Sequence, residues 1–312
     1  MQGQTSSYVI TTLVTAPSTT TLTTLANVKD DLDIPANDPS NDSRLKRYIG
    51  EESDAIARYC NRVFGLATWR DEFRPQRGVW GEGVQASTNP LKLTHWPLVA
   101  SIVPFTGNTY SSALVDGLNT TAGLFQGQLV SGPGIAAGTT IASINVGSSS
   151  LQLSAPATAS APAAALSAGI SVVETVAGND TGLTAGIDFQ VDLGSGLPGD
   201  EGASGLYRLN QLGNPKNWPP AKIVVVYQSG YVLPSSPNQV RSAALPNDIQ
   251  GVCLRFVAGR FNARKRDPLL RSRDQPNLGR EEYWIGATPG QSGPYPNEIM
   301  AVLDRYRVPV VG

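Results

Sequence analysis

The stretch TLTTLANVKDDLDIPANDPSNDSRLKRYIGEESDAIARYCNRVFG, residues 21–65, holds the clearest structural signal in the chain. Leu45, Tyr48, Ile49, Ile56, Tyr59, Cys60 and Val63 recur at the spacing of a helix with one apolar face. Asp42 or Ser43 is placed to cap its start, and Gly65 follows its end. Gly50, in its middle, weakens it by about 1 kcal/mol relative to alanine. Upstream, Thr24 caps a shorter helix with Leu25, Val28 and Leu32 on one side, and Pro35 stops it. Still earlier, the Thr/Ser-rich residues 5–23, with the β-like run Tyr8-Val9-Ile10, read as an extended arm.

Toward the other end of the chain, Pro246-Asn247-Asp248 opens a second strong helix. Its apolar stripe is Ile249, Val252, Cys253, Phe256, Val257 and Phe261, and its far end is basic, which suits the negative end of the helix dipole. Residues 274–296 are rich in Gly, Pro and Asn and read as a linker. A last short helix starts at Asn297 and sets Ile299, Met300, Leu303 and Tyr306 on one side.

Between the two helical ends lies a stretch of another character. Residues 93–207 contain none of the chain's 24 lysines and arginines. From Thr106 to Val176, Gly, Ser, Thr and Ala dominate, and Asp116 and Glu174 are the only charges. Short β runs at 124–130, 139–146 and 151–154, separated by Gly/Pro/Ser turns, suggest a small sandwich. The Ala/Ser/Pro-rich residues 155–168 read as a poorly ordered link. Beyond them, Ile187, Phe189, Val191 and Leu193 alternate with polar residues, Leu206–Leu209 is a second strand, and Ile223–Tyr227 is continuously apolar. These are expected to pair back with strands carrying Trp69, Asp71 and Phe73, and Leu91, Leu93 and His95. The expected fold is therefore α+β: a helical core with a small antiparallel sheet, interrupted by an all-β, sandwich-like insertion. Residues 1–105 and 177–312 would form the discontinuous core with extended N- and C-terminal arms, and 106–176 the inserted β domain.

Composition removes several functions. Charged residues make up 16%, below the usual ~25%, and the net charge is −1, which disfavours a whole-chain basic binder of nucleic acid or membrane. No run of about 20 apolar residues exists to span a bilayer. Met1–Thr24 reads as a poor secretory signal. The two cysteines, Cys60 and Cys253, fall at apolar helix positions and read as buried thiols, made in a reducing cytoplasm. A single histidine, His95, sits beside Trp96-Pro97 without a catalytic signature. Asp188 and Asp192 lie about 13 Å apart along a strand, too far to share a proton or metal. No GxxxxGK[ST] or dinucleotide fingerprint occurs. The expectation is a chain without enzyme activity, cofactor or metal.

The outer segments resemble a known family. Residues 21–65 are similar to the opening of tailed-bacteriophage head–tail connector (adaptor) proteins, in which a short helix of the type T-L-x-x-V-K-x-x-L-x-I precedes a long one. LPNDIQGVCLRFVAGRFNARKR, residues 245–266, resembles the helix after the connector's small sheet. NEIMAVLDRYRVPVV, residues 297–311, resembles the family's C-terminal end. GQLVSGPGIAAGTTIASINVGSSSLQLS, residues 127–154, looks like a β module that recurs in phage structural proteins. The resemblance implies a structural virion protein, assembled in the host cytoplasm into a ring of usually twelve copies at the head–tail interface. Its implied partners are copies of itself, the portal protein, tail or nozzle proteins, and genomic DNA in transient, non-specific contact. The insertion would reach tail fibres, and no membrane is involved. The alternative is a DNA-binding packaging or head-completion factor.

Two residue sets are candidates for this work. Arg255, Arg260, Arg264, Lys265, Arg266, Arg271 and Arg273 are the densest basic cluster. They would meet phosphates in a DNA channel, dock on an acidic surface of the portal or a neighbouring subunit, or form a solvated helix end. Ile299, Met300, Leu303, Tyr306, Arg307 and Val310 would anchor the C-terminus in a groove on the portal or a neighbour.

Overall fold

The computed structural model describes residues 8–74, 90–99, 103–192, 205–219, 221–236, 243–264, 272–275, 279–282 and 297–308. Of these, 37% are strand and 21% helix, so the chain is mainly β. In order, the elements are β1 (Tyr8–Thr15), α1 (Leu25–Asp31), α2 (Asp42–Tyr59), β2 (Ala67–Arg74), β3 (Leu91–Lys92), β4 (Val103–Thr109) and β5 (Leu114–Asp116). There follow β6 (Val130–Ser131), β7 (Ile141–Asn145), β8 (Ser150–Leu153), β9 (Ala161–Ala168), β10 (Ile170–Val176), β11 (Asn179–Leu183) and β12 (Phe189–Asp192). The chain continues through β13 (Gly205–Leu209), β14 (Pro215–Lys216), β15 (Lys222–Ser229), α3 (Asn247–Ala263), β16 (Ser272–Gln275), β17 (Gly279–Glu282) and α4 (Asn297–Asp304).

This corrects the expected α+β fold with a helical core. Helical periodicity marks only four segments, whereas small, uncharged residues form far more strand than their composition suggested. The expected link at 155–168 is the plainest case. Its second half is β9, which pairs with β4 and β6 and buries Ala164, Leu166, Ser167 and Ala168. Part of the expected 274–296 linker is likewise paired, as β16 against β17.

The chain divides into two compact units, one of Met1–Pro17, Leu66–Gly230 and Val240–Ala243, the other of Ser18–Gly65, Tyr231–Gln239 and Ala244–Gly312. The second holds all four helices found among the described residues. Leu45, Ile49 and Ile56 of α2, Ile249, Val252 and Val257 of α3, and Leu303 of α4 share one core with Tyr306 and Leu22. Thr24 caps α1 as its sequence suggests, its hydroxyl accepting from Asn27 N at 3.2 Å. The α1–α2 turn closes on Lys29, whose buried ammonium donates to Ala36 O and Asp38 O and pairs with Asp42 at 2.6 Å. Tyr306 donates to the Asp248 carboxylate at 2.9 Å, and Val308 N donates to Cys60 O.

The first unit is built from antiparallel sheets. One has the order β1-β2-β15-β10-β11 and another the order β6-β9-β4-β5-β8-β7. A third runs β12-β13-β14, with β3 also paired to β13. The continuously apolar Ile223–Tyr227 is buried along its whole length in β15, between β2 and β10. β10 lies within the range expected for the insertion, yet its partners are β15 and β11. The two larger sheets meet at Ser131, whose hydroxyl donates to Leu183 O at 2.6 Å and accepts from Val172 N at 3.0 Å. Glu174, one of two charges in 106–176, is matched by Arg208, the first base after the gap. Their side chains are 8% and 11% exposed and lie 2.8 Å apart, and Arg208 also donates to Asp188 O. Breaking a pair this buried costs about 3–5 kcal/mol.

Close approach at the sheet junction requires Gly182, where a Cβ would collide with the carbonyl of Gly132. Gly182→Ala is expected to lower the melting temperature of this unit. Gly50→Ala, in α2 with open space around it, should instead stabilise its unit by up to about 1 kcal/mol. Opposite signs in thermal or denaturant melts of the two variants check both assignments.

Candidate assembly surfaces

α2 and α3 lie side by side and bring their charged residues together. Arg260 pairs with Glu51 at 2.5 Å and Glu52 at 2.9 Å, and its guanidinium sits 4.5 Å from the Tyr48 ring centroid. It is thus a rivet between helices rather than a free cation, though ion pairs this exposed contribute at most about 1 kcal/mol. Arg264 packs over Phe261 and donates to Asn41 Oδ1 at 3.0 Å. Arg44, from the first turn of α2, donates to the same amide oxygen at 3.1 Å. Two guanidiniums therefore converge on one neutral acceptor.

Of the other expected basic residues, Arg255 is exposed on α3, and Arg273 stands opposite Glu281 in the β16–β17 register. Lys265, Arg266 and Arg271 lie outside the described residues. The sequence reading missed Arg44 because it sits far from the α3 cluster along the chain.

The expected C-terminal anchors are placed differently from the sequence reading. Ile299, Leu303 and Tyr306 are 8%, 0% and 1% exposed and belong to the core of their own unit. Met300 is half-buried, Arg307 lies over the Tyr59 ring, and Val310 is outside the described residues. An amphipathic stripe packs on the nearest apolar surface, and α3 with the end of α2 provides it.

The titratable groups of this unit are consistent with packing. Burial pushes the Cys60 thiol up to about 12 and the Cys253 thiol up to about 11, which holds both protonated at neutral pH. Burial, and then the hydrogen bond to Asp304, raises Tyr59 above its ordinary value. In the sheet unit, His95 stacks on Trp69 with ring centroids 3.5 Å apart, and its Nδ1 lies 2.9 Å from Thr94 Oγ1. Among the described residues no cluster of His, Cys, Asp and Glu is disposed to hold a metal ion, and no helix is long and apolar enough to cross a membrane.

The second surface is the outer edge of β1. Its sequence, YVITTLVT, has no charge and no proline, the usual devices that protect a free sheet edge. Val9, Ile10 and Thr11 are half-buried, Thr12 to Thr15 are exposed, and Leu13 and Val14 are 43% and 54% exposed. At the opposite edge, β11 carries Asp180. Sequence reading recognised β1 only as an arm.

No protein-family model matches the chain, and no curated protein matches it. Among solved structures, it is similar to a chain described as the neck of an empty GTA (gene transfer agent) particle, computed with C6 symmetry. The identity is 14%, the coverage 97% of this chain and 98% of that one, and the TM-score 0.34, below the level of a shared fold.

Because Leu303 is a core residue, Leu303→Ala should destabilise the helical unit by about 2–5 kcal/mol. Chemical denaturation followed by circular dichroism checks this. An unchanged midpoint would mean that α4 is not packed as described.

Proposed function

We propose that the chain is a structural virion protein, copies of which form a ring joining the capsid portal to the tail and continuing the DNA channel. The observation that carries this reading is the meeting of three distant segments. Residues 21–65, 245–266 and 297–311 each resemble part of a head–tail connector, and described apolar residues of each, among them Leu45, Ile249 and Leu303, share one core. The role is assembly rather than catalysis. The partners are copies of the chain, usually twelve by the resemblance, the portal, and tail or nozzle proteins, with the strand-rich 106–176 region reaching tail fibres.

A second reading, a DNA-binding packaging or head-completion factor, is favoured by one feature. Arg44 joins Arg264 on the helical unit, and both donate to an amide rather than a carboxylate. Each phosphate contact adds about 0.9 to the salt slope of duplex affinity.

Electron microscopy of the purified chain mixed with its portal should show rings with a central channel. Only single chains, with portal present, would overturn the first reading. Duplex binding measured against salt concentration separates the second: a steep slope that flattens in Arg44→Gln/Arg264→Gln supports it, and a weak, salt-insensitive affinity removes it.

A further inference from the structure

We propose that β1 is a donated strand: in the assembled protein, β1 of one copy completes the five-stranded sheet of the next by pairing with that copy's β2. The inference rests on the ring reading, because it needs adjacent copies, and it specifies which segment links them.

Three observations carry it. First, β1 is held almost entirely by groups that any copy supplies. Its ladder with β2 runs from Tyr8↔Arg74 to Thr15↔Thr68, and its part-buried side-chain contacts are those of Thr11 Oγ1 with Asp71 Oδ1 at 2.8 Å and Thr94 Oγ1 at 3.1 Å. A second copy's strand would make the same bonds, so exchange costs the sheet nothing. Second, β1 adds little to the core of its own chain, since Thr12 to Thr15 are exposed. Its departure therefore leaves no large cavity.

Third, the joint after β1 is short and stiff. From Thr19 the chain is anchored in the helical unit: Thr19 and Thr21 hydroxyls lie 3.0 and 2.7 Å from Ser235 Oγ, and Leu22 N donates to Ser53. Only Ala16, Pro17 and Ser18 remain between strand and anchor. Proline fixes its own φ and restricts the residue before it, so the joint has few conformations to choose from. Short, constrained hinges favour exchange between identical subunits over closure within one. A strand passed head to tail is a heterologous contact, the kind that closes into rings. The exposed Leu13 and Val14 would then lie where two copies adjoin.

The register supplies the test. Thr12 stands opposite Arg70, and neither is buried. A Thr12→Cys/Arg70→Cys chain is assembled, oxidised and run on a non-reducing denaturing gel. Exchange gives a ladder of covalently joined copies, whereas β1 pairing within its own chain gives a single-chain band with an internal cross-link. Size-tagged Thr12→Cys copies mixed before assembly with Arg70→Cys copies should yield tagged–untagged heterodimers only under exchange. Cys60 and Cys253 are 0% exposed and do not compete. If oligomers form but every cross-link is internal, strand donation is overturned while the ring reading stands. If no oligomer forms with portal present, both fall.

Discussion

The Asp71 carboxylate is fully buried and accepts hydrogen bonds from Thr11 on β1, from the Thr94 amide and hydroxyl, and from Tyr227 on β15. A buried carboxylate is tolerated only where donors surround it. Here they come from three separate parts of the chain, so satisfying one charge fixes the register of β1 and β15 on β2 together. A slip of one residue would turn Asp71 to the opposite face and leave every donor unmatched. Burial, with the Asp71 charge beside it, drives the Tyr227 hydroxyl far above its ordinary pKa, which keeps it a donor at any physiological pH. His95 is drawn in through Thr94 and Tyr227, and this gives the lone histidine a structural place.

The same constraint recurs at smaller scale. Lys29 ties two carbonyls of the α1–α2 turn to Asp42, and Arg208 ties β10 to the turn before β12. Such groups add little net stability compared with well-packed apolar residues. Their directional hydrogen bonds tie together segments that lie apart along the chain.

What was legible in the sequence follows from this. The helices were readable because Leu45, Ile49 and Ile56, or Ile249, Val252 and Val257, repeat at a period that only a helix satisfies. The strand around Trp69, Asp71 and Phe73 was readable from its period of two, and Ile223–Tyr227 from an unbroken apolar run that a strand covered on both faces explains. β9 was not, because alanine and serine bury well without announcing a face. The α4 stripe was seen, but periodicity says only that a face is apolar, not whether the chain or a partner covers it. The Arg44–Arg264 convergence on Asn41 depends on helix packing and has no local sequence pattern at all.

The charge gap has a further consequence in terms of proteolysis. An enzyme that cuts after lysine or arginine finds no site between Lys92 and Arg208, whether the strands there are folded or not. Cleavage at those two flanks would release residues 93–208 as one intact piece, including the whole six-stranded sheet with β10, β11 and β12. Exposure to trypsin-like proteases can therefore cut the helical ends and the strands β2, β13, β14 and β15, but it cannot fragment the six-stranded sheet between them.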